Sequence, residues 1–329
     1  MELRTTFKIE GSSGKITYDN PVMFMGSCFA TGIGRQLEAG KIPVMINPSG
    51  TVYNPVSVSN TIDLITEGRK YTIGNLYNNN GIWLSFNHYT DFSSDDPGIV
   101  TDRINKATEE ASRFLSKARF LFITFGTARV YRWKVSGRIV SNCHKIPASE
   151  FTNELLPVSS IISLWEDELT KLKNLYPDLK IVFTISPVRH WKDGAHGNQV
   201  SKSVLFLAVE ELLRHPSNPG YFPAYELVMD DLRDYRFYDD DMLHPSSSAI
   251  NYVWQKFSDC YLDSRTAELR NEVIKITKAF NHRLISAVES KKKEFANTML
   301  NRINELTNKI PSLDMSAERS YFNKIAEGI

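Results

Sequence analysis

Short apolar runs alternate with stretches of helical periodicity along most of this chain. Runs typical of strands occupy residues 22–25, 44–46, 120–124, 181–185 and 226–229. Helical patterns lie between them, at residues 30–38, 56–66, 102–116, 159–175 and 200–213. Such alternation is typical of an α/β protein whose parallel sheet is covered by helices on both faces. We therefore predict a three-layer α/β/α fold in which sites gather at the carboxyl ends of the strands.

Two irregular segments interrupt this alternation. Residues 67–98 are rich in Asn, Tyr, Gly and Asp, which predicts an inserted loop or hairpin near the site. Residues 129–151 contain two strand-like runs around Val135-Ser136-Gly137, which predicts a second hairpin.

The segment from Ser264 to Ile310 contains neither Pro nor Gly and has the pattern of a long amphipathic helical tail. Its apolar stripe consists of Leu269, Val273, Ile276, Phe280, Leu284, Val288, Phe295, Met299, Ile303, Leu306 and Ile310. The stripe can pack on the chain's own core as one or two helices, or it can form a homodimer through a coiled coil of imperfect heptad spacing. We predict a main domain at residues 1–262 and a helical C-terminal extension at residues 263–329.

Composition excludes several classes of function. A chain of 329 residues with 42% apolar residues can bury a full core, and its net charge of +1 does not predict a nucleic-acid or membrane partner. Three cysteines without a CxxC pair predict neither a disulfide framework nor a zinc site, and no nucleotide-binding glycine motif occurs. No metal or cofactor is therefore expected. The segment from Met1 to Phe7 lacks the apolar core of a signal peptide, so we expect a cytoplasmic protein.

The sequence Gly26-Ser27-Cys28-Phe29-Ala30 follows the first strand-like run. It predicts a strand that ends in a tight glycine turn and opens a helix, which places a nucleophile beside free helix N–H groups. These residues resemble the signature of the GSCFA-domain family, which is similar to the SGNH (GDSL-type) hydrolases. The resemblance extends from about Pro21 to about Leu262 and implies that residues 1–262 form an SGNH-like catalytic domain.

The resemblance implies a nucleophile, a base and an orienting carboxylate. Alignment with the SGNH block Gly-Asp-Ser places Cys28 on the nucleophile. Moving the frame by one residue makes Ser27 the nucleophile but puts Met25 on the glycine of the turn, which is physically less favourable. A thiolate at a helix N-terminus beside a histidine is expected to have a lowered pKa. The SGNH block Asp-x-x-His matches Asp241 and His244, which implies that His244 is the base and Asp241 orients it.

The resemblance also implies an oxyanion hole. Its first donors are the N–H of Cys28 and that of Gly50. The third is open, because the segment Gly126-Thr127-Ala128-Arg129 has alanine where SGNH enzymes have a donor asparagine. Gly126 of this segment is a further oxyanion or substrate-binding candidate, and Thr127 or Asn142 is the alternative donor. Arg189, or Arg129, is a candidate to hold a carboxylate, sulfate or phosphate of the substrate.

These assignments imply an acyl-ester hydrolase, an esterase or deacetylase, that uses a covalent acyl-enzyme. The expected substrate is a small-molecule or glycan acyl ester. Two alternatives stay open: acyl transfer to or from a glycan, since a thioester intermediate passes to acceptors other than water, and a non-catalytic carbohydrate-binding protein that has kept the fold.

Overall fold

The protein was analysed as a computed structural model, which describes residues 5–281 and 288–328. The strands are β1 Val22–Gly26, β2 Val44–Ile46, β3 Tyr77–Asn79, β4 Ile82–Leu84, β5 Phe120–Phe125, β6 Arg129–Trp133, β7 Ile139–Val140, β8 Phe151–Leu155, β9 Lys180–Ile185 and β10 Gly220–Tyr221. The α-helices are α1 Cys28–Ala39, α2 Pro55–Glu67, α3 Pro97–Leu115, α4 Val158–Leu175, α5 Gly194–Leu212, α6 Ala224–Glu226, α7 Ser247–Tyr261, α8 Ser264–Asn281, α9 Glu289–Lys309 and α10 Ser316–Glu327.

Five parallel strands form the central sheet, in the order β2-β1-β5-β9-β10. The chain runs outward from β1 to β2 and then crosses back to β5, on the other side of β1. This is the flavodoxin-like strand order, in which the carboxyl ends of β1 and β5 border the crevice where ligands bind. In the register of these two strands, Gly26 lies opposite Thr124, so the predicted nucleophile turn begins at that crevice.

Alternate residues of each strand pack on opposite faces of the sheet, as the two-residue period of a strand requires. Val22 and Phe24 belong to a core cluster with α1, α7 and the C-terminal helices. Met23 and Met25 belong to a second cluster, with α2, α3, α4 and α5. The predicted three-layer α/β/α fold is thereby confirmed.

One predicted strand is wrong. Residues 226–229 end the short helix α6 and begin a π-helical turn, Leu227–Asp231, while the edge of the sheet is formed by β10. Leu227 and Val228 are fully buried in the first core cluster. A short apolar run is compatible with a buried strand and with a buried helical turn, so periodicity alone did not distinguish them.

The two irregular segments do form hairpins. Strands β3 and β4 are antiparallel around Asn80 and Gly81, which both have positive φ. Strand β6 pairs with β7, as predicted, and also with β8 in a three-stranded antiparallel sheet.

The C-terminal helices pack on the chain's own core. Val273, Ile276, Ile303 and Leu306 of the predicted stripe are buried in the cluster that contains Phe24. Leu284 of the stripe, like residues 1–4 of the N-terminal segment, lies outside the described residues. The domain boundary after residue 262 and the homodimer stay predictions. Within residues 5–281 and 288–328, no helix has the length and apolar character needed to cross a membrane.

Gly26 begins the turn that is predicted to carry the nucleophile, and it has no room for a side chain. Its φ is +126°, and a Cβ atom would lie 2.1 Å from the carbonyl oxygen of Thr124. We expect Gly26→Ala to lower the free energy of unfolding by at least about 3 kcal/mol, because β1 and β5 must separate to admit the methyl group. Chemical denaturation measures this loss.

Gly68 provides the matched control. It also has a positive φ, +61°, but no atom lies within 4 Å of a Cβ added there. Gly68→Ala should cost only about 1 kcal/mol, the strain of a left-handed residue. Equal losses in the two variants would show that the close contact with Thr124 is unimportant.

Candidate active site

The nucleophile turn places Ser27 and Cys28 in different environments. Ser27 is the N-cap of α1 and is 1% exposed, and its N–H donates to the carbonyl oxygen of Thr124 at 3.1 Å. Cys28 is the first residue of α1 and is half-buried. The Ser27 hydroxyl has no hydrogen-bond partner among the described residues. Of the two candidate nucleophiles, Cys28 is therefore the more exposed.

Asn47, which the sequence analysis did not single out, braces this turn. Its Oδ1 accepts the N–H of Gly26 at 2.8 Å, and its Nδ2 donates to Oγ1 of Thr31 in α1 at 3.1 Å. The residue has a positive φ of 47°, a conformation that asparagine tolerates better than most residues. Its position directly after β2 was the available sequence signal.

Burial is the largest influence on the pKa of the Cys28 thiol, and it raises that pKa. Hydrogen bonds from the backbone N–H groups of Cys28 and Phe29 and the positive charge of Lys202 lower the pKa, but by less, and Asp241 raises it further. The expectation of a lowered pKa is thus wrong: desolvation outweighs the helix N-terminus. Because the thiol is neutral near pH 7, it needs a base to become a nucleophile.

Asp241 and His244 form a tightly bonded pair in the loop before α7. Oδ2 of Asp241 accepts a hydrogen bond from Nδ1 of His244 at 2.5 Å. Oδ1 accepts hydrogen bonds from the backbone N–H groups of Leu243 and His244 at 2.8 and 2.9 Å. The backbone N–H of His244, its ring and the N–H of Leu243 together lower the pKa of Asp241 to about 2. The carboxylate is therefore ionised, and it leaves Nε2 as the ring nitrogen available for proton transfer. Because the charge of Asp241 also raises the pKa of the Cys28 thiol, the pair lies within electrostatic range of Cys28, and the assignment of the three residues to one catalytic site stays a prediction.

Lys202, on α5, lies beneath the site and was not predicted. It is 2% exposed and donates to the carbonyl oxygens of Gly126 and Ser186, each at 2.6 Å. It therefore ties together the segments that follow β5 and β9. Burial lowers its pKa to about 7, and the neighbouring Cys28 opposes that shift.

His190 is a second unpredicted group of the site. Its ring packs edge-on against Tyr53 at 5.6 Å, and its Nε2 is buried without a hydrogen-bond partner among the described residues. A Cβ atom at Gly126 would lie 3.1 Å from this Nε2 and 3.5 Å from Cβ of Ser27, so the ring and the turn at Ser27 both border Gly126. Burial, with smaller contributions from Lys202 and His244, lowers the pKa of His190 to about 4. The imidazole is therefore neutral near pH 7.

Two of the predicted oxyanion donors already have partners for their N–H groups. The N–H of Gly50 donates to Asn47 at 2.8 Å, and a Cβ at this glycine would lie 2.1 Å from Cβ of Tyr89. The N–H of Gly126 donates to the carbonyl oxygen of Tyr53 at 2.7 Å. Either amide would have to exchange its present bond to serve an oxyanion.

The other two donor candidates are also engaged. The N–H of Thr127 donates to Tyr53 at 3.0 Å, and its hydroxyl lies 2.9 Å from that of Ser201. Nδ2 of Asn142 donates to the hydroxyl of Thr90 at 3.4 Å. All four donor assignments stay predictions. Throughout the described part of the chain, no three His, Cys, Asp or Glu side chains are grouped so that they could hold a metal ion.

The reactivity of Cys28 should follow its raised pKa. We expect its alkylation by iodoacetamide to accelerate up to and beyond about pH 8.5, the usual pKa of a free thiol, because only the thiolate reacts. Peptide mapping separates Cys28 from Cys260, which is 4% exposed and whose thiol donates to Glu10 at 3.1 Å. Cys260 should react only on unfolding. A midpoint for Cys28 below about pH 7 would instead indicate a preformed thiolate.

Comparison with known proteins gives one family and a set of remote structural matches. The GSCFA family matches residues 21–257. One similar solved structure is described as "a putative platelet activating factor from Streptococcus pneumonia", with 12% identity, a TM-score of 0.38, and coverage of 73% of this chain and 83% of that one. Another is an acetyl xylan esterase from the rumen bacterium Butyrivibrio proteoclasticus, with 12% identity, a TM-score of 0.38, and coverage of 78% and 65%. No curated protein matches the sequence. Since the family match begins just before β1 and ends within α7, and so includes both the nucleophile turn and the Asp241–His244 loop, this chain belongs to the GSCFA family.

Proposed function

We propose that this protein hydrolyses acyl esters through a covalent intermediate on Cys28. One observation supports this most strongly: a half-buried cysteine at the N-terminus of α1 lies within electrostatic range of an Asp241 carboxylate that is bonded to a histidine ring. A nucleophile, a base and a group that orients the base are the parts that acyl transfer requires.

The reaction begins when His244 takes the proton of the Cys28 thiol as sulfur attacks the ester carbonyl carbon. The tetrahedral intermediate collapses, its carbon–oxygen bond to the alcohol breaks, and His244 returns the proton to the leaving alcohol. Water then loses a proton to His244 and attacks the thioester. Breakage of the carbon–sulfur bond releases the carboxylic acid, and the proton returns to sulfur.

The electrostatics of the site favour such a concerted proton transfer over a resting ion pair. The thiol is held neutral by burial, while the ionised Asp241 stabilises the imidazolium that forms on His244. The N–H groups of Cys28 and Phe29 hydrogen-bond the thiolate, so developing negative charge is met by donors already in place.

The test is to mix the protein with p-nitrophenyl acetate, follow nitrophenolate release and determine the mass of the intact protein and of its peptides. We expect steady release and one acetyl group on the peptide that contains Cys28. Absence of both turnover and adduct, with this ester and with a small set of acetylated sugars, would contradict the proposal.

Acyl transfer to a carbohydrate is the second candidate. It is favoured by Trp191 and Tyr235, which are 52% and 77% exposed and line the cleft with Asp241, since exposed aromatic side chains suit sugar rings. Adding a disaccharide to the ester assay separates the two reactions. Transfer gives acetylated sugar, whereas hydrolysis gives only acetate.

A further inference from the structure

A cleft of 760 Å³ opens beside the Asp241–His244 loop. Its walls come from three segments: the one that follows β9, the π-helical turn and the loop before α7. Residues representing these walls are Arg189, Trp191, Met229, Tyr235, Tyr238 and Leu243. The lining is mainly apolar and aromatic, and it includes Asp241, so a group bound in the cleft lies close to the proposed chemistry.

Arg189 is the unusual charge of this cleft. Its Nε is buried and has no hydrogen-bond partner in the described parts of the chain, 5–281 and 288–328, and no ion pair of its guanidinium occurs there. The guanidinium lies over the ring of Trp191, 5.4 Å from its centroid. Arg233, which also lines the cleft, is by contrast paired with Asp230 at 3.1 Å. A partly buried cation without a carboxylate is costly unless a ligand supplies the negative charge.

The backbone fixes Arg189 relative to the catalytic loop. Its N–H donates to the carbonyl oxygen of Leu243 at 3.4 Å, between Asp241 and His244 in the chain. Tyr238, whose hydroxyl donates to Sδ of Met229 at 3.5 Å, lines the same cleft.

We propose that the cleft binds an anionic group of the ester substrate, a carboxylate, sulfate or phosphate, on the guanidinium of Arg189. The planar fork of arginine holds such groups through two parallel hydrogen bonds. The apolar and aromatic walls then cover the part of the substrate between the anion and the ester. This inference depends on the proposed esterase function and specifies its substrate class.

The first test compares a neutral ester, p-nitrophenyl acetate, with a charged one, mono-p-nitrophenyl succinate. We expect Arg189→Met to lower kcat/KM for the succinate by about 50-fold or more and that for the acetate by less than about threefold, as the loss of a charge-assisted contact predicts. Arg214→Met is the matched control, since Arg214 is exposed, lies outside the cleft and is paired with Glu211 at 2.6 Å; it should change neither. Equal effects of Arg189→Met on the two esters, or none, would overturn the proposal.

The second test does not depend on turnover. Titration calorimetry on the Cys28→Ala protein measures binding of monomethyl succinate, sodium sulfate and sodium phosphate at constant ionic strength, and it identifies which anion is preferred. Adding Arg189→Met should raise the Kd of the preferred anion at least about tenfold. If the protein binds anions but the wild type hydrolyses no ester, the proposed esterase function is contradicted and this inference is not. If the wild type hydrolyses esters but Arg189→Met leaves anion binding unchanged, this inference is contradicted and the esterase function is not.

A different observation concerns His190. The N–H groups of the predicted oxyanion donors Gly50, Gly126 and Thr127 bond to protein carbonyls, while the buried Nε2 of His190, beside Gly126, has no partner among the described residues. Buried polar atoms are rarely left without a partner, and such an atom next to a nucleophile turn suits charge that appears only during the reaction. We infer that His190, protonated on Nε2, donates to the oxyanion of the tetrahedral intermediate. The low pKa of this ring keeps it neutral, so it can act as a donor without losing its proton.

Acylation and alkylation of Cys28 distinguish this role from a structural one, because alkylation by iodoacetamide forms no oxyanion. We expect His190→Leu to slow acylation by p-nitrophenyl acetate by about 10²-fold or more, and to leave alkylation within about twofold. His190→Gln, which retains a donor, should recover part of the acylation rate. Unchanged acylation, or acylation and alkylation that fall together, would contradict the inference. A wild type that is never acylated would contradict the esterase as well.

Discussion

Cys28→Ala is expected to lower kcat for ester hydrolysis by about 10⁴-fold or more and to abolish the acyl adduct, as the loss of a nucleophile does in enzymes of this kind. Ser27→Ala should keep kcat within about fivefold of the wild type. The Ser27 hydroxyl makes no capping hydrogen bond to α1, so its removal should also cost little stability. Stopped-flow release of nitrophenolate together with protein mass spectrometry measures both variants.

Cys28→Ser is the matched control for the first of these changes, since it keeps the size of the side chain and replaces the nucleophilic atom. It should retain at most about 1% of the activity, because a serine hydroxyl with no other change is the weaker nucleophile. Thermal unfolding of all three variants confirms that the fold is intact. Activity that is lost in Ser27→Ala and kept in Cys28→Ala would reverse the assignment of the nucleophile.

Asp241→Asn is expected to lower kcat by about 10²- to 10⁴-fold, because the amide no longer holds the ring of His244 in the tautomer that accepts a proton on Nε2. His244→Ala should cost at least as much. Asp240→Asn is the matched control, since this exposed carboxylate directly precedes Asp241. It should stay within about threefold of the wild type, and an equal loss would show that the charge of the loop matters rather than the bond to His244.

The pKa of Asp241 adds a prediction on pH. Its pKa of about 2 in the folded protein lies below the ordinary value of 3.8, so the unfolded chain binds more protons between these two values. The stability that Asp241 contributes is therefore complete above about pH 4 and is lost as the pH falls toward 2. Because the carboxylate stays ionised above that range, we expect the acid limb of kcat in wild-type protein to come from other groups. This expectation would be contradicted if the pH profile of kcat had an acid limb with the pKa of an ordinary aspartate and if that limb were absent in Asp241→Asn.

Features set by neighbours in sequence were predictable. β1 and the start of α1 follow from a short apolar run, a glycine and a helical period, and the pair Asp241 and His244 is joined by hydrogen bonds within one loop. The run at residues 226–229 was misassigned, because burial of Leu227 and Val228 is compatible with strand or helix and only packing against the core decides between them.

The sequence by itself determined the α/β architecture, the glycine turn at Gly26 and the residue types of the proposed nucleophile, base and orienting carboxylate, since each depends on local pattern or local hydrogen bonding. Only the tertiary structure decided the ionisation of Cys28, because its pKa results from burial, from Lys202 on α5 and from Asp241 in a distant loop. It alone also showed that Arg189 lacks a carboxylate partner and that Nε2 of His190 lacks a hydrogen bond within the described residues. Charge and hydrogen-bond balance depend on what the folded chain brings together and on how much water it excludes, and neither quantity can be read from spacing along the sequence.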